Sequence, residues 1–331
     1  MASKGNDKHS LVAIGEALID FIPDRRDCAF ADVGAFAPMI GGAPANVCAA
    51  FARLGGKARL LTQLGDDPFG HKILRALSDV GVDTDSVCLT KDANTALAFV
   101  SIASDGNRTF SFYRKPSADM LYAPDAVRQA DFDDAYALHF CSVSLGDFPM
   151  KSAHKAAIAI QRGKGGIVSF DPNLRFPLWE DREALRQTVR EFLPLADVVK
   201  ISDEELDFIT GEQEIEKALP ILFCGHVRLV LYTCGANGAY AFTRTQRAFS
   251  PSHAVDALDT TGAGDCFIGA FLWMLQRYGV TRETLGDMGE VTMRACLDFA
   301  NAACAYSVVR HGAIASYPDL PAVQTILKGK K

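Results

Sequence analysis

The chain has 331 residues, of which 49% are hydrophobic and 22% charged, the composition of an ordinary globular protein rather than a disordered or fibrous one. Its formal net charge of -6, from 34 basic and 40 acidic residues, gives no excess of positive charge for binding nucleic acid or an anionic membrane. No apolar run reaches the about 18 residues that a membrane-spanning helix needs, so we expect a small-molecule partner and neither nucleic acid nor a membrane.

Short apolar runs alternate with helix-period segments along most of the chain. This rhythm is typical of a mainly parallel β-sheet with helices on both faces. No linker, low-complexity tract or internal repeat divides the chain, so we expect a single α/β domain over residues 1–331. The predicted strands cover residues 11–14, 58–63, 137–143, 167–170, 198–201 and 229–233.

Two segments interrupt this rhythm in the N-terminal half. Residues 17–40 contain apolar residues without a helical stripe, and residues 95–114 form two alternating runs joined around Ser104-Asp105-Gly106, a hairpin signal. We expect a small accessory β layer, a lid formed roughly by residues 16–41 and 95–120. A surface hairpin without a functional role is the alternative.

The segment GGAPANVCAAFARLGG, residues 41–56, is predicted to be a helix, with Pro44 in its first turn and two glycines at its end. Gly41 and Gly42 allow a ligand to approach the backbone closely. Asn46 offers both a donor and an acceptor, which suits sugar hydroxyl groups. The alternative is tight packing of small residues between the helix and the sheet.

The segment DTTGAGDCF, residues 259–267, precedes a long apolar helix. Gly262, Ala263 and Gly264 leave backbone N–H groups uncovered at the helix N-terminus, which makes an anion site. Asp265 would repel a bound phosphate unless it accepts a proton, and phosphoryl transfer to a hydroxyl group needs such a base. A helix-capping role for Asp265 is the alternative.

Other signatures of nucleotide and metal sites are missing from the sequence. It contains neither the G-x-x-x-x-G-K-[ST] loop nor a G-x-G-x-x-G motif after a strand, and its seven histidines show no zinc-binding spacing. The nine cysteines are odd in number, scattered from Cys28 to Cys304 and without a C-x-x-C motif. We therefore expect free thiols, a reducing compartment and a cytoplasmic location.

The motifs GGAPANV and DTTGAGDCF, in this order, resemble the two signatures of the ribokinase-like (PfkB) carbohydrate kinases. The resemblance extends over nearly the whole chain and is strongest to fructokinases. It implies a ribokinase-like three-layer α/β sandwich with a mainly parallel sheet and a small β lid. It also implies ATP-dependent, magnesium-requiring phosphorylation of D-fructose at the 6-hydroxyl. The further segments that carry it are GEALIDFIP (15–23), FYRKPSADM (112–120), FDPNLRFPLW (170–179) and VVKISDEELDFITG (198–211).

The resemblance also assigns roles to individual residues. As catalytic residues it implies the base Asp265, the anion hole Gly262, Ala263 and Gly264, and Arg175. As sugar-binding residues it implies Asp20, Gly41, Gly42, Asn46, Arg114 and Asp265. As nucleotide-binding residues it implies Ser202, Thr233, Gly235, Gly238, Gly262, Gly264, Asn301 and Gly312.

Two cation sites follow from the same resemblance. Glu205 matches the position that binds Mg²⁺ through water, although Ser202 stands where the family usually has Asn. A monovalent cation, potassium, is implied beside the anion hole, with the ligands Asp259, Thr261 and Ser316.

Two alternative functions remain open from the sequence. Another sugar, such as 2-keto-3-deoxygluconate or ribose, can be the substrate. A non-catalytic relative that binds sugar as a regulator or scaffold is the alternative outside the enzyme class. A homodimer formed through the lid is a further expectation that the sequence leaves open.

Overall fold

A computed structural model describes residues 9–25, 27–102 and 108–329 of the chain. The predicted hairpin signal at residues 104–106 lies outside the described residues, as does most of the polar N-terminal segment. Within the described residues, no helix has both the length and the apolar character needed to cross a membrane.

The described residues form fourteen β-strands and nine α-helices. The strands are β1 (Ser10–Ile14), β2 (Leu18–Pro23), β3 (Phe36–Gly41), β4 (Lys57–Gly65), β5 (Val82–Asp83), β6 (Val87–Thr90), β7 (Leu97–Ile102), β8 (Arg108–Tyr113), β9 (Ala135–Cys141), β10 (Ile167–Asp171), β11 (Val198–Ser202), β12 (Leu229–Thr233), β13 (Ala239–Phe242) and β14 (Arg247–Ser250). The helices are α1 (Ala43–Arg53), α2 (Pro68–Asp79), α3 (Pro149–Gly163), α4 (Arg182–Phe192), α5 (Asp203–Thr210), α6 (Ile215–Leu222), α7 (Ala263–Arg277), α8 (Glu290–Val308) and α9 (Leu320–Lys328).

The larger sheet has the strand order β14-β13-β12-β11-β10-β9-β1-β4-β5, and β6 also pairs with β4. All of its pairs are parallel except β12 with β13 and β13 with β14, which lie at one edge. Strands that are buried on both faces consist of consecutive apolar residues, as in β1, because each face packs against helices. The predicted mainly parallel sheet is confirmed.

Two hydrophobic cores lie on opposite faces of this sheet, each between the sheet and one layer of helices, so the fold is a three-layer sandwich. Leu11 and Ala13 of β1 belong to the core beneath α1, α2, α7, α8 and α9. Val12 and Ile14, which alternate with them, belong to the core beneath α3, α4, α5 and α6. Helices therefore cover both faces of the sheet, as the sequence predicts.

A second sheet, with the order β3-β2-β7-β8, is built from the segments predicted to form the lid. Its register places Met39, Asp20, Ala98 and Phe112 side by side across the four strands. Residues opposite one another in paired strands point to the same face of a sheet. This face lies toward the main domain, because a β-carbon built on Gly312 would lie 2.6 Å from Cε of Met39.

The predicted strand over residues 137–143 is too long at its carboxyl end. Strand β9 stops at Cys141, and Ser142–Ser144 form a turn of 3-10 helix. The N–H of Ser142 donates to the carbonyl of Pro172 at 3.1 Å, in the loop after β10, so the backbone leaves the sheet at this point.

Candidate active site

The N-terminal ends of α1 and α7 meet above the carboxyl ends of the central strands, and a direct contact joins them. Nδ2 of Asn46 in α1 donates to Oδ2 of Asp265 in α7 at 2.9 Å, although the two residues are 219 positions apart. The helices cross closely: a β-carbon built on Gly269 would lie 2.8 Å from Cβ of Ala50. Small residues in both helices therefore allow this approach.

Gly262 begins α7 in a left-handed conformation, with a φ of 71°. A β-carbon at this position would lie 2.4 Å from Oη of Tyr317 and 2.7 Å from Cβ of Ala313. Tyr317 also donates a hydrogen bond to the carbonyl of Gly262 at 3.0 Å. The first turn of α7, Ala263 to Asp265, follows directly, and its backbone N–H groups have no partners earlier in the helix. This turn can bind an anion.

Asp265 is buried, with 7% of its surface exposed. Burial raises the pKa of its carboxyl group, and the hydrogen bond from Asn46 and the charges of Arg175 and Lys200 oppose this shift. Oδ1 of Asn46 is buried without a hydrogen-bond partner among the described residues. A hydroxyl group that donates to Asn46 and approaches Asp265 would use this open acceptor.

Arg175 and Arg114 differ in their surroundings. Arg175 lies half-buried in the loop after β10, where Nη1 donates to the carbonyl of Leu174 at 3.0 Å. Arg114, which follows β8, is buried and forms an ion pair with Asp119. Its Nη1 donates to the carbonyl of Val143 at 3.3 Å. Arg114 is therefore fixed inside the protein rather than extended from a loop.

Gly41 and Gly42 lie where the lid joins α1, and neither position has room for a side chain. A β-carbon on Gly41 would lie 2.1 Å from Oδ2 of Asp20 in β2. A β-carbon on Gly42 would lie 2.5 Å from the carbonyl of Glu16. The two glycines thus bring the Asp20 carboxylate close to the first turn of α1, which holds Asn46.

Ser202 and Glu205 form a capping box at the start of α5. Oε2 of Glu205 accepts from both the N–H and the hydroxyl of Ser202 at 3.0 Å. Oε1 accepts from the N–H of Leu174 at 2.8 Å. A carboxylate has about four acceptor positions, so three donors leave one for a water molecule. Within the described residues, no three His, Cys, Asp or Glu side chains are grouped to bind a metal ion directly.

The predicted nucleotide-binding residues outside the anion-binding turn come from separate elements of the C-terminal half of the chain. Thr233, Gly235 and Gly238 follow one another at the carboxyl end of β12 and in the turn to β13. Asn301 of α8 is buried, and its Nδ2 donates to Oγ of Ser250 at 3.0 Å and to the carbonyl of Ser250 at 3.1 Å. Its side-chain donor group therefore anchors the end of β14.

The predicted ligands of a monovalent cation lie around the loop that precedes α7. Oδ1 of Asp259 accepts from the N–H and the hydroxyl of Thr261, at 2.9 and 2.6 Å. Its Oδ2 accepts from the N–H of Gly312 at 3.0 Å. Ser316 is buried, and its hydroxyl lies 2.6 Å from that of Ser307 and donates to the carbonyl of Ala313.

Comparison with known proteins identifies the family. Residues 8–320 match the pfkB family of carbohydrate kinases. The chain belongs to the pfkB family of carbohydrate kinases. Fructokinase-1 of Oryza sativa subsp. japonica is 40% identical over 319 residues, which cover 96% of each chain.

Solved structures agree with this kinase family. Fructokinase with bound ATP from Xylella fastidiosa is 35% identical, with a TM-score of 0.90 over 97% of this chain and 98% of the other. A double mutant of fructokinase from Vibrio cholerae O395, in its fructose, ADP and potassium ion bound form, is 34% identical. Its TM-score is 0.84 over 97% of this chain and 99% of that one. The predicted fold class is thus confirmed, and the carbohydrate kinase is a phosphotransferase with an alcohol acceptor.

One charged pair in the site of this kinase was not predicted from the sequence. Asp171 and Lys200 are both buried, with 3.0 Å between Oδ2 and Nζ. The pKa of Asp171 is raised to about 7, mainly by burial. The charges of Glu205 and Asp265 also raise this pKa, and the charge of Lys200 opposes the shift. The available signal was a single lysine in the otherwise apolar strand VVKIS.

A second missed group lies at the base of the lid. Oε1 of Glu16 accepts from the N–H of Ala43 at the start of α1, at 3.1 Å. Its Oε2 accepts from the hydroxyl of Ser144 at 2.7 Å. Burial raises the pKa of Glu16, and the charge of Arg114 opposes the shift. Arg114 therefore lies between two buried carboxyl groups, those of Glu16 and Asp119.

Proposed function

We propose that this carbohydrate kinase transfers the γ-phosphoryl group of ATP to the 6-hydroxyl of D-fructose and releases fructose 6-phosphate and ADP. The contact between Asn46 and Asp265 carries the proposal, because it joins a sugar-binding motif to a base at an anion-binding helix end. The fructokinases that resemble the chain over nearly its full length support the choice of fructose.

Asp265 accepts the proton of the 6-hydroxyl as that oxygen forms its bond to the γ-phosphorus and the bond to the leaving ADP oxygen breaks. Asn46 binds Oδ2 of Asp265, so we assign proton acceptance to Oδ1. We assign stabilisation of the negative charge on the transferred group to the backbone N–H groups of Gly262, Ala263 and Gly264. The N–H of Ala263 donates to the carbonyl of Thr260 at 3.2 Å in this structure and would exchange that bond for the phosphoryl group. Arg175, whose charge already acts on Asp265, approaches the same group.

We assign sugar binding to the residues between the lid and α1. The unpartnered Oδ1 of Asn46 accepts from one hydroxyl group of fructose, and the Asp20 carboxylate accepts from others. Gly41 contributes by letting the Asp20 carboxylate lie against the backbone before α1, and Gly42 by letting the chain pass close to Glu16. Arg114 holds the base of the lid in place through Asp119, so its contribution to sugar binding is indirect.

We assign ATP to the side of the site lined by Ser202, Thr233, Gly235, Gly238, Asn301 and Gly312. Glu205 has an acceptor position for a water molecule of hydrated Mg²⁺. When bound, the magnesium ion neutralises charge on the nucleotide phosphates. We assign potassium to a site beside the anion hole, with Asp259, Thr261 and Ser316 as its ligands. The two hydrogen bonds from Thr261 to Oδ1 of Asp259 hold the hydroxyl and carboxylate oxygen atoms of these residues close together.

The face of the lid opposite the one that carries Asp20 and Met39 supports the proposed homodimer. Phe21 and Phe99 stack with ring centroids 4.7 Å apart, and Phe36 and Tyr113 pack edge-on against Phe99. Tyr113 is 62% exposed. Sedimentation of the wild type beside Tyr113→Lys tests this assignment, and a variant that sediments as the wild type does would contradict it.

Nine free cysteines support the proposed reducing, cytoplasmic location.

A coupled ADP-release assay tests the proposed reaction. We expect Asp265→Asn to bind ATP and sugar nearly as the wild type does and to lose turnover by about two to four orders of magnitude. Turnover within tenfold of the wild type would refute the base assignment. No ADP release by the wild type with any sugar would instead indicate a non-catalytic sugar-binding relative.

The same assay over a panel of sugars tests the substrate. A pocket that hydrogen-bonds particular hydroxyl groups rejects analogues lacking them, by up to about 10⁴. We expect the highest kcat/KM for fructose among fructose, ribose, glucose, adenosine and 2-keto-3-deoxygluconate, with the product phosphorylated at the 6-hydroxyl. If another sugar is preferred, the substrate assignment is wrong and the kinase assignment stands.

A further inference from the structure

Lys200 and Asp171 form a buried ion pair between neighbouring strands of the main sheet. Ser169 lies opposite Val198 and Phe170 opposite Val199, and Asp171 and Lys200 are the next residues along the two strands. The side chain of Asp171 is 1% exposed and that of Lys200 is 8% exposed. Burying two charges is costly, and an apolar pair of similar volume is often as stable or more so. The fold alone therefore gives no reason to retain a charged pair at this position.

The ammonium group of Lys200 lies directly behind the anion-binding turn. A β-carbon built on Gly264 would lie 3.2 Å from Nζ of Lys200 and 3.9 Å from its Cε. Gly264 is the second residue of α7, where the helix dipole is positive. A cation near this end adds to the positive potential instead of cancelling it. A lysine ammonium group at the positive end of the helix dipole is electrostatically unfavourable in the unliganded protein. The same placement becomes favourable when an anion binds in front of the turn.

Three carboxyl groups, those of Asp171, Glu205 and Asp265, interact with the charge of Lys200, and only that of Asp171 forms an ion pair with it. Glu205 is hydrogen-bonded to Ser202 and Leu174, and Asp265 to Asn46, so neither holds the ammonium group. Asp171 holds Nζ through Oδ2, while its Oδ1 is buried without a hydrogen-bond partner among the described residues. Asp171 thus fixes the position of the ammonium group through a single oxygen.

We propose that Lys200 is a positioning residue for phosphoryl transfer, whose ammonium group, fixed by Asp171, supplies positive charge behind Gly264 to the phosphoryl group and to Asp265. The inference rests on the proposed function, because it requires Gly264 and Asp265 to act on the same transferred group. Negative charge builds up at this turn during transfer, so Lys200 stabilises the transition state more than the bound substrates.

Two single variants of Lys200 test this role in one assay. We expect Lys200→Met to lower kcat by about 100-fold, the size of effect found for a lost anion-hole group, with a KM for fructose within about threefold of the wild type. ADP with aluminium fluoride and fructose, which imitates the transition state, is expected to bind more weakly by the same factor. Lys200→Arg, which keeps the charge, is expected to recover at least about a tenth of the wild-type kcat.

The double variant Lys200→Met/Asp171→Leu separates this role from a purely structural one. Removing both partners of a buried pair restores stability that removing one loses, so we expect its Tm to exceed that of Lys200→Met. Its kcat is expected to remain about 100-fold low. A double variant with a wild-type Tm and a kcat within about threefold of the wild type would overturn the proposal.

Asp197→Asn is the matched control, because it breaks a buried ion pair at the other end of β11. Asp197 is fully buried and pairs with Arg162 at 3.4 Å and Arg282 at 3.1 Å. We expect this variant to lose stability and to keep the wild-type kcat. Equal losses of kcat in Asp197→Asn and Lys200→Met would also overturn the proposal. Asp265→Asn, measured in parallel, reports separately on the proposed function, since its outcome does not depend on Lys200.

Discussion

Gly262 at the start of α7 provides a quantitative test of the anion-binding turn. A non-glycine residue with its φ of 71° costs about 1–2 kcal/mol of conformational energy. The β-carbon of Gly262→Ala would also lie 2.4 Å from Oη of Tyr317 and 2.7 Å from Cβ of Ala313. Forced overpacking of this kind costs about 1–3 kcal/mol. We therefore expect the free energy of unfolding to fall by about 2–5 kcal/mol and kcat by at least about 100-fold, because the displaced turn carries the anion-binding N–H groups.

Gly279, just beyond the other end of α7, provides the matched control. Its φ is 64°, and a β-carbon there would meet no atom within 4 Å. Gly279→Ala therefore carries the conformational cost without the clash, and we expect a loss of about 1–2 kcal/mol with unchanged kcat. Urea unfolding and steady-state kinetics measure both variants. Equal losses of stability would refute the steric reasoning, and a destabilised Gly262→Ala with full kcat would refute the role of the turn.

Three further predictions concern charge in and around the site. Because burial raises the pKa of Asp265, we expect kcat/KM to fall on acidification at a pH above the usual aspartate range, as the base becomes protonated. Asn46→Ala removes a hydrogen bond that lowers this pKa, so its acid limb is expected at higher pH, and an unshifted profile contradicts this. Activity is expected to rise when potassium replaces a bulky organic cation at constant ionic strength and saturating magnesium; no response means that Asp259 and its neighbours bind no cation. Arg114→Met leaves the buried carboxylate of Asp119 without its ion-pair partner, although the hydroxyl of Ser117 still donates to it, so we expect a loss of about 3–5 kcal/mol in urea unfolding. A loss below about 1 kcal/mol rules out a structural ion pair.

The strand positions were predictable because the sheet is covered on both faces. Strands such as β1 and β12 consist almost wholly of apolar residues, and their ends agree with the predicted runs to within one residue. The segments GGAPANV and DTTGAGDCF were also informative, since each combines small residues with one polar side chain at a helix start. Their contact through Asn46 and Asp265 brings together two motifs that the sequence analysis related only by family resemblance.

The parts that were not predictable depend on how distant segments align. A single lysine in an apolar strand is compatible with an edge position, a strand end or a buried pair, and only the register of β10 with β11 brings Lys200 next to Asp171. The burial of Arg114 likewise depends on two carboxyl groups from distant segments. Asp119 lies in a short helical turn after β8, and Glu16 lies in the loop between β1 and β2. Strand β9 ended early because Ser142 bonds to the loop after β10.

The polar groups at the carboxyl ends of the strands oppose folding in the absence of ligands. Burial raises the pKa values of both Asp171 and Asp265, so ionising either group costs more in the folded protein than in the unfolded chain. Oδ1 of Asn46 and Oδ1 of Asp171 are buried without partners in the described structure. A sequence optimised for stability alone would replace such groups with apolar residues. Their presence together, beside one helix N-terminus, is explained if the substrates supply the missing partners, the sugar for Asn46 and the phosphoryl charge for the cation that Asp171 holds.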